Sequence, residues 1–404
     1  MAEAELIVEL GRAEALREQW DRLAVAQGEP TSAPAWMLGW WRHVAPRGAE
    51  LRIVAVHERG ELIGLLPLFV DLSHRSRARA YRLMAHDFSS AVSPLAAPDR
   101  EWDVGRAAGR LLAAQPSPPD SLVLEPVLSG SVWPTVLRAS YPGPIRPMCW
   151  QLGFEDAPTV SLRYPSFERW LASRSANFRS NARRNLSRFR EAGGSSRLST
   201  PATLADDIEL FIELHRTRWQ ELTARGAGES RLLALGDRLP RLLRELGDAL
   251  LTADRFHLRI LEVRGRPVGA ELSIAAGGEI DTVNYGWDGR FRRASPLAVG
   301  LLERIDEGIR RGEHRMSLGR SLSRFKLGFA DGRAPVTRSV VVPVGAGLPA
   351  ALARAAPQVA RRRLRDTARR VLSEQHFEAL RAANTRTRNA IARKGPAVER
   401  GDPN

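Results

Sequence analysis

The chain has 404 residues, of which 43% are hydrophobic and 26% are charged, and this length predicts two or three domains that each bury a core. One cysteine excludes an internal disulfide framework, the apolar runs are too short to span a bilayer, and the acidic N-terminal stretch is unlike a signal peptide, so we expect a cytoplasmic protein. The net charge of +15 indicates a polyanionic partner or a phosphate-rich ligand, or else an arginine-rich composition that only favours solubility.

The first half, residues 1–155, is predicted to mix helices and strands. A helical stretch with three tryptophans precedes residues 51–64, LRIVAVHERGELIG, which reads as a strand, an Arg-Gly turn and a second strand. A short strand follows at 121–127. The proline-rich stretch 141–158 predicts an extended linker to the second half.

The second half, residues 156–345, repeats part of this pattern. Residues 258–269, LRILEVRGRPVG, match the first hairpin and again follow a helix that contains tryptophan, so we infer an internal duplication. Alternating helices and strands predict an α/β protein with a mixed sheet. The main predicted elements are helices at 178–190, 204–225, 230–252 and 297–311, and strands at 256–263, 267–276 and 279–287.

Two segments carry concentrated positive charge. The helix at 178–190 has an apolar stripe, and its other faces carry five arginines, including Arg183. Residues 346–404 are predicted to be a basic helical tail, with twelve Arg and one Lys against five acids from residue 351 onward. The tail is either a solvated packing helix or a binding site for an anionic partner.

The stretch FRRASPLAVG, residues 291–300, has the composition of a phosphate-binding helix start. Unpaired amide groups and the helix dipole attract anions at a helix N-terminus. Arg292 and Arg293 add charge-assisted contacts, Ser295 is placed to cap the helix, and Pro296 suits its first turn. An ordinary capped helix has the same residues.

Five ordered segments between residues 160 and 340 together resemble a known family. They are NFRSNARRNLSRFREAGG, LHRTRWQ, LRILEVRGRPVGAEL, NYGWDGRFRRASPLAVGLLERIDEGIRRGEHRMSLG and RSLSRFKLGFADG. They resemble the GNAT-fold acyltransferases of the BioF2-like or CelD-like group, the cellulose-biosynthesis acetyltransferases. These are similar to the FemABX proteins, which carry two GNAT units in tandem.

The resemblance implies tandem GNAT-like domains, the first of them degenerate, with acyl-CoA bound where the central strands of the second domain separate. It places the pyrophosphate at the loop before residue 297. The family pattern has Ser-Pro-Gly there, whereas this chain has Leu297, which removes one close backbone approach. Ser317, Gly319 and Ser321 stand where the family has Asp-x-Gly-x-Gly, so no acid is expected at 317.

Lysine occurs at only two positions, Lys326 and Lys394, in a chain with 61 Lys and Arg residues. Lysine is a compact charge whose pKa shifts readily, so a lysine in a chain that otherwise uses arginine indicates a function. The resemblance implies that Lys326 contacts a phosphate or carboxylate of the substrate. We include Arg320, Phe325 and Arg183 in the same predicted substrate-binding set.

Acyl transfer requires a deprotonated nucleophile, a polarised thioester carbonyl and a proton for the leaving thiolate. The candidate proton acceptors are Asp288 and Glu271, and the candidate donor is Tyr285. Each has a structural alternative, because Asp288 can cap a turn, Glu271 can face solvent and Tyr285 can belong to the core. His215 is a further candidate base that also suits a packed helix.

Three functions remain open from the sequence. The first is an acetyl-CoA- or acyl-CoA-dependent N- or O-acyltransferase that acts on a small amine, an amino sugar or a polysaccharide precursor. The second is a Fem-like aminoacyltransferase that uses aminoacyl-tRNA, and the third is a non-catalytic GNAT-fold binding protein. The sequence has no HExxH, Cys/His cluster or Walker loop, so we expect no metal or ATP site. It gives no indication of oligomeric state.

Overall fold

The computed structural model describes residues 2–72, 79–224, 229–320, 322–345 and 347–353, together with residues 356 and 360. Most of the predicted basic tail and Ser321 therefore lie outside the described residues. The first part of the tail, residues 348–353, is helical as predicted.

The first half contains all four strands of one sheet and several strands of a second, larger sheet. Its elements are β1 (Glu3–Ile7), α1 (Leu10–Ala15), α2 (Arg17–Gln27), a 3-10 turn (Pro30–Ser32), α3 (Pro34–His43), β2 (Ala49–Leu51), β3 (Ile53–Glu58), β4 (Glu61–Leu66), β5 (Leu68–Asp71), β6 (Ala80–Leu83), β7 (Leu95–Ala96), α4 (Glu101–Ala113), β8 (Ser121–Leu128), α5 (Trp133–Ser140) and β9 (Met148–Ser161).

The second half follows without a break, because β9 crosses from one half into the other. Its elements are α6 (Phe167–Ala172), α7 (Ala176–Glu191), β10 (Gly194–Leu198), α8 (Leu204–Ala224), a 3-10 turn (Leu233–Leu235), α9 (Arg238–Leu250), β11 (Phe256–Val263), β12 (Arg266–Ala276), β13 (Glu279–Trp287), a 3-10 helix (Gly289–Ala294), α10 (Pro296–Arg310), β14 (Arg315–Ser317), α11 (Arg324–Phe329) and β15 (Gly332–Val342).

Within the described residues the strands form two sheets. A four-stranded sheet has the order β1-β3-β4-β7, and an eleven-stranded sheet has the order β10-β11-β12-β13-β14-β9-β15-β8-β6-β5-β2. Most neighbours are antiparallel, but β6 pairs with β8 and β13 pairs with β14 in parallel. The protein is therefore an α/β protein with a mixed sheet, as the alternation of elements predicts.

The two predicted hairpins are present as β3–β4 and β11–β12. Each turns through its Arg-Gly pair in left-handed backbone, with φ of 52° at Arg59, 82° at Gly60, 53° at Arg264 and 73° at Gly265. Positive φ at both central residues suits a two-residue hairpin loop, because its twist matches that of the strands. The sequence repeat therefore corresponds to a repeated local structure.

A parallel strand pair follows each hairpin and extends the repeat. Residues 80–82 pair with 121–123 in the first half, and residues 279–281 pair with 315–317 in the second. In both halves the pairing ends after three residues and a helix, α4 or α10, connects the two strands. The halves thus share one arrangement of hairpin, parallel pair and connecting helix.

Strands β9 and β15 join the halves into one sheet. β15 lies between β9 and β8, so the last strand of the second half completes the sheet of the first. The prediction of a linker at 141–158 was wrong for its later part, because residues from Met148 onward form β9. The predicted division between residues 155 and 156 falls inside this strand.

Helices cover both faces of the second half of the large sheet. α8 packs on β12 and β13 and is backed by α9 and α3, while α10 packs on the opposite face with α7. The predicted helix at 230–252 is divided into the 3-10 turn and α9, because Gly236 has a left-handed φ of 55°.

Candidate active site

The central feature of the second half is an opening between β13 and β14. Asp281 and Ser317 are the last paired residues, and β13 continues alone on this side to Trp287. A register shift opposite Leu272 and Ser273 leaves Val283 as the extra residue of a β-bulge. No described strand pairs with this edge of residues 282–287, and we call the gap beside it the strand opening. The Tyr285 amide within it donates to Asn284 Oδ1 at 2.9 Å.

Lys326 points toward the strand opening from α11. Ser323 caps this helix by accepting a hydrogen bond from the Lys326 amide at 3.2 Å. The Lys326 Nζ atom donates to the carbonyl oxygens of Arg320 at 3.2 Å and Gly319 at 3.5 Å. Burial, reinforced by the positive charge of Arg218, lowers the pKa of Lys326 to about 8. The ammonium is thus half-buried, and its pKa lies below the usual value for lysine.

Asp281 lies beside Lys326 and is the acid that sequence reasoning missed. It is 6% exposed, and the Ser90 hydroxyl donates a hydrogen bond to its Oδ1 atom at 2.6 Å. Burial raises the pKa of Asp281 to about 6, against the stabilising hydrogen bond from Ser90. Asp281 is paired in register with Ser317, so the adjacent strand supplies a carboxylate where β14 itself has none.

A loop of the first half forms one wall of this site. Trp40 Nε1 donates to Asp87 Oδ1 at 2.9 Å and Trp36 Nε1 donates to Ser89 Oγ at 2.8 Å, which fixes the loop against α3. The Asp87 carbonyl oxygen accepts hydrogen bonds from Arg320 at 3.4 Å and Arg231 at 3.5 Å. Both halves therefore contribute to the surroundings of the strand opening.

Arg218 extends from α8 to the free part of β13. Its Nη1 atom donates to the Tyr285 carbonyl oxygen at 3.3 Å, and its guanidinium carbon lies 5.8 Å from the centre of the Tyr285 ring. Burial lowers the pKa of Arg218. No described carboxylate pairs with Arg218, whose acceptor is the Tyr285 carbonyl oxygen.

Glu271 and Tyr285 are cross-strand neighbours on β12 and β13, and both are buried. Burial raises the pKa of Glu271 to about 7, with Arg304 opposing the shift. Burial and the nearby Glu271 also raise the pKa of the Tyr285 phenol. The Ser273 hydroxyl opposes the rise in the pKa of Glu271, and the Thr282 hydroxyl opposes the rise in the pKa of Tyr285. Even so, the side-chain oxygens of Glu271 and Tyr285 have no hydrogen bond of normal geometry in the described part of the chain.

Asp288 has a structural position at the end of β13. Its carboxylate accepts from the Arg290 amide at 3.0 Å and from the Arg290 guanidinium at 2.6 to 3.0 Å. The hydrogen bonds from Arg290 lower the pKa of Asp288. Of the two alternatives that the sequence left open for Asp288, this geometry corresponds to the turn cap, and an ion-paired carboxylate of low pKa is a weak base at neutral pH.

Arg292 and Arg293 lie just before α10, but the helix lacks the side-chain cap that the sequence predicts from Ser295. Ser295 is in the left-handed region, with φ of 52°, and its side chain does not cap the helix. Arg292 and Arg293 are exposed. The Ser295 amide donates to the Arg292 carbonyl oxygen, and the Val299 amide donates to the Ser295 carbonyl oxygen. Pro296 has no N–H to donate.

The amides of Leu297 and Ala298 are therefore the first-turn donors that stay free in the described structure. These two amides and the two exposed arginines lie together at the start of α10, where free N–H groups and positive charge suit an anion.

The remaining predicted residues occupy different places. Phe325 is 36% exposed and contacts Phe329 with ring centres 5.2 Å apart. Arg183 is exposed on α7 and has no contact with Lys326 or Asp281 among the described interactions. His215 is buried between the Tyr285 carbonyl at 2.7 Å and Ser230 Oγ at 2.9 Å, and burial lowers its pKa to about 4.

Among the residues that the structure describes, the helices are too short or too polar to span a bilayer. In the same part of the chain, no three or more His, Cys, Asp or Glu side chains are grouped so that they could hold a metal ion.

A mixed sheet that opens between two parallel central strands, with a helix starting beside the opening, defines the GNAT fold. Residues 176–327 match the family model described as an acetyltransferase (GNAT) domain. No curated protein sequence matches the chain.

Solved structures support the fold over most of the chain. The chain is similar to FemX, with 11% identity, a TM-score of 0.54 and coverage of 83% of this chain and 96% of that one. The C-terminal domain of a putative lysylphosphatidylglycerol synthetase from Agrobacterium fabrum has 14% identity, a TM-score of 0.53 and coverage of 84% and 95%. A conserved protein of unknown function from Bacteroides thetaiotaomicron has 13% identity, a TM-score of 0.52 and coverage of 85% and 100%.

Proposed function

We propose that the protein is a cytoplasmic acyltransferase of the BioF2-like or CelD-like type. It transfers an acetyl or other acyl group from the pantetheine thioester of acyl-CoA to an amine or hydroxyl of a small molecule, amino sugar or polysaccharide precursor. The observation that carries the proposal is the strand opening, where Asp281 and Lys326 lie beside the free backbone edge of residues 282–287.

The donor end of this site is the start of α10. Arg292, Arg293 and the free amides of Leu297 and Ala298 contact phosphate groups of the donor. The thioester then lies along the strand opening, where backbone N–H groups of β13 polarise its carbonyl. Ser295 shapes this loop through its left-handed backbone rather than through its side chain.

Asp281 is the base in this proposal. Its pKa of about 6 leaves it ionised at neutral pH and makes it a stronger base than an ordinary carboxylate. The acceptor lone pair attacks the thioester carbonyl as Asp281 accepts the acceptor's proton. The carbon–sulfur bond then breaks, and the thiolate takes the phenolic proton of Tyr285. The neutral carboxyl form of Glu271, across the strand pair, returns a proton to the phenolate. Asp281 releases the acceptor's proton to solvent and Glu271 regains one from solvent before the next turnover.

Positive charge near the acceptor suggests an anionic group on that substrate. Lys326 and Arg320, with Phe325 at the rim, remain the substrate-binding residues, and Arg218 adds a buried guanidinium without a carboxylate partner among the described residues. Arg183 is more distant and fits the acceptor only if that molecule is long. The acceptor's nucleophile would lie between Asp281 and the thioester.

Charge at α4 supports a degenerate first half. The first turn of this helix, which corresponds to α10, carries Glu101 and Asp103. Arg100 is already paired with Asp103 at 2.7 Å and with Glu58 at 3.0 Å. Because acidic side chains at a helix start repel phosphate, we propose that only the second half binds the donor.

A Fem-like aminoacyltransferase is the second candidate, and the exposed arginines of α7 favour it. A non-catalytic binding protein is the third. The predicted anionic partner of the basic tail also remains a proposal. Calorimetric titration with acetyl-CoA, followed by an assay of thiol release with a panel of amines, separates these functions.

We expect saturable acetyl-CoA binding that the paired change Arg292→Gln and Arg293→Gln weakens roughly three- to tenfold. The control Arg241→Gln changes an exposed arginine of α9 and leaves binding unchanged. Asp281→Asn is expected to retain donor binding and to lose thiol release. Absence of acetyl-CoA binding by the wild-type protein would remove the basis of the proposed function.

A further inference from the structure

The outer surface beside α10 carries a group of arginines that the proposed reaction does not use in full. Six are exposed and form no ion pair with a described carboxylate: Arg183, Arg184, Arg188, Arg190, Arg292 and Arg293. We call this group the arginine surface. The only acid on α7 is Glu191, which accepts a hydrogen bond from Ser187 at 2.7 Å. The surface is therefore strongly positive, with Glu191 as the one carboxylate on the same helix.

Packing makes the arginine surface continuous with the donor entrance. Leu186 and Phe189 of α7 share a buried cluster with Ala294 and Val299, which flank the start of α10. α7 also contacts the 3-10 helix that carries Arg292 and Arg293. Arg183 to Arg190 span about 11 Å along α7, and Arg292 and Arg293 continue the positive charge to the start of α10. These six arginines outnumber the phosphate groups of one CoA molecule.

The start of α10 offers few backbone donors to a phosphate group. Only the Leu297 and Ala298 amides are free in its first turn within the described structure. Leu297 also places a side chain where a glycine would let a ligand approach the backbone closely. Two amides match the single phosphodiester of a protein-bound phosphopantetheine better than the pyrophosphate of CoA.

We propose that an acidic acyl carrier protein docks on the arginine surface and delivers its phosphopantetheine thioester into the strand opening. This inference rests on the proposed function, since it assumes that the strand opening accepts a pantetheine thioester. Acidic side chains of the carrier pair with the arginines, and the single phosphodiester contacts the start of α10. The carrier thus replaces the nucleotide of CoA as the main source of binding energy.

The experiment titrates the full-length protein with a bacterial acyl carrier protein in its apo, phosphopantetheine and acetylated forms, with acetyl-CoA, and with bulk tRNA. Acetyl transfer to a panel of amines is measured with both acetyl donors. The variant Arg184→Glu with Arg188→Glu reverses two charges of the arginine surface, and Arg241→Glu on α9 is the matched control.

We expect the acetylated carrier to bind at least roughly tenfold more tightly than acetyl-CoA. We also expect the double reversal to weaken carrier binding roughly tenfold or more, while its affinity for acetyl-CoA stays at the wild-type value. The Arg241→Glu variant should bind both the carrier and acetyl-CoA as the wild-type protein does. Carrier binding should weaken steeply as salt is added.

The other outcomes separate the two proposals. If acetyl-CoA binds and reacts while the carrier does not bind, the carrier inference is wrong and the proposed function stands. The same holds if the carrier binds the double-reversal variant as tightly as it binds the wild-type protein. Tighter binding of tRNA with the same arginine dependence would assign the surface to RNA and overturn the carrier. If the carrier binds through the arginines but neither donor yields acetyl transfer, the docking surface stands and the proposed function falls.

Discussion

The Asp281→Asn variant gives a direct test of the electrostatics at the strand opening. Asp281 has an ordinary pKa of 3.8 that rises to about 6 in the fold, so the folded state disfavours the carboxylate. At about 1.4 kcal/mol per pKa unit, ionisation costs up to about 3 kcal/mol of folding free energy at pH 7. Asparagine has nearly the same shape and stays neutral, so we expect the variant to be more stable than the wild-type protein at neutral pH.

The size of this stability gain depends on pH. Below pH 3.8 the carboxyl is protonated in both states and the cost disappears, so the stability gain should grow between about pH 4 and 6 and level off above. Part of the gain is offset, because Lys326 loses the negative charge that supports its ammonium.

Differences in urea midpoint between variant and wild type, measured from pH 5 to 8, provide the assay, with Ser90→Ala as the companion variant. Removing the Ser90 hydrogen bond should destabilise the wild-type carboxylate further. A gain that does not change with pH, or a loss of stability at pH 7.5, would refute this account of Asp281.

Three further predictions follow from the same geometry. The kcat/KM should rise through about pH 6 as Asp281 ionises and fall above about pH 8 as Lys326 loses its proton, and Lys326→Arg should remove the alkaline limb. Gly319→Ala should lose about 1 kcal/mol or more in thermal unfolding, because φ is 78° and the new Cβ would lie 3.4 Å from the Thr282 carbonyl oxygen. Arg304→Met should lower the free energy of unfolding in urea by about 3 kcal/mol, because the Glu313 carboxylate loses its two hydrogen bonds at 3.0 and 3.1 Å. The control Arg310→Met removes an exposed arginine of the same helix and should cost little.

Local patterns predicted the secondary structure well where the signal was local. The three strands of the second half agree within one residue with β11, β12 and β13, and the Arg-Gly turns identified both hairpins. Most of the long strand β9 was predicted to be linker, because its pairing with β15 is set by residues more than 170 positions away. Proline and glycine near residue 143 suggested a linker, but that signal ends before Met148.

The candidate site was predicted unevenly for a related reason. The scarcity of lysine singled out Lys326, and the structure places its ammonium at the strand opening. Asp281 was missed because nothing in its local sequence marks it, and its properties arise from burial and from Ser90, which lies 191 residues earlier. A carboxylate after a strand looks the same in the sequence whether it caps a turn or accepts a proton, so the contact of Asp288 with Arg290 could not be predicted.

The position of β15 has a consequence for how the protein is made. Residues 332–342 fill the gap between β8 and β9, so the sheet of the first half is completed only when the ribosome has nearly finished the folded region. Until then the nascent chain presents β8 with an open edge, which invites pairing with other chains. Release of this polypeptide in active form therefore depends on shielding that edge during translation, and a version cut after residue 155 should accumulate as aggregate.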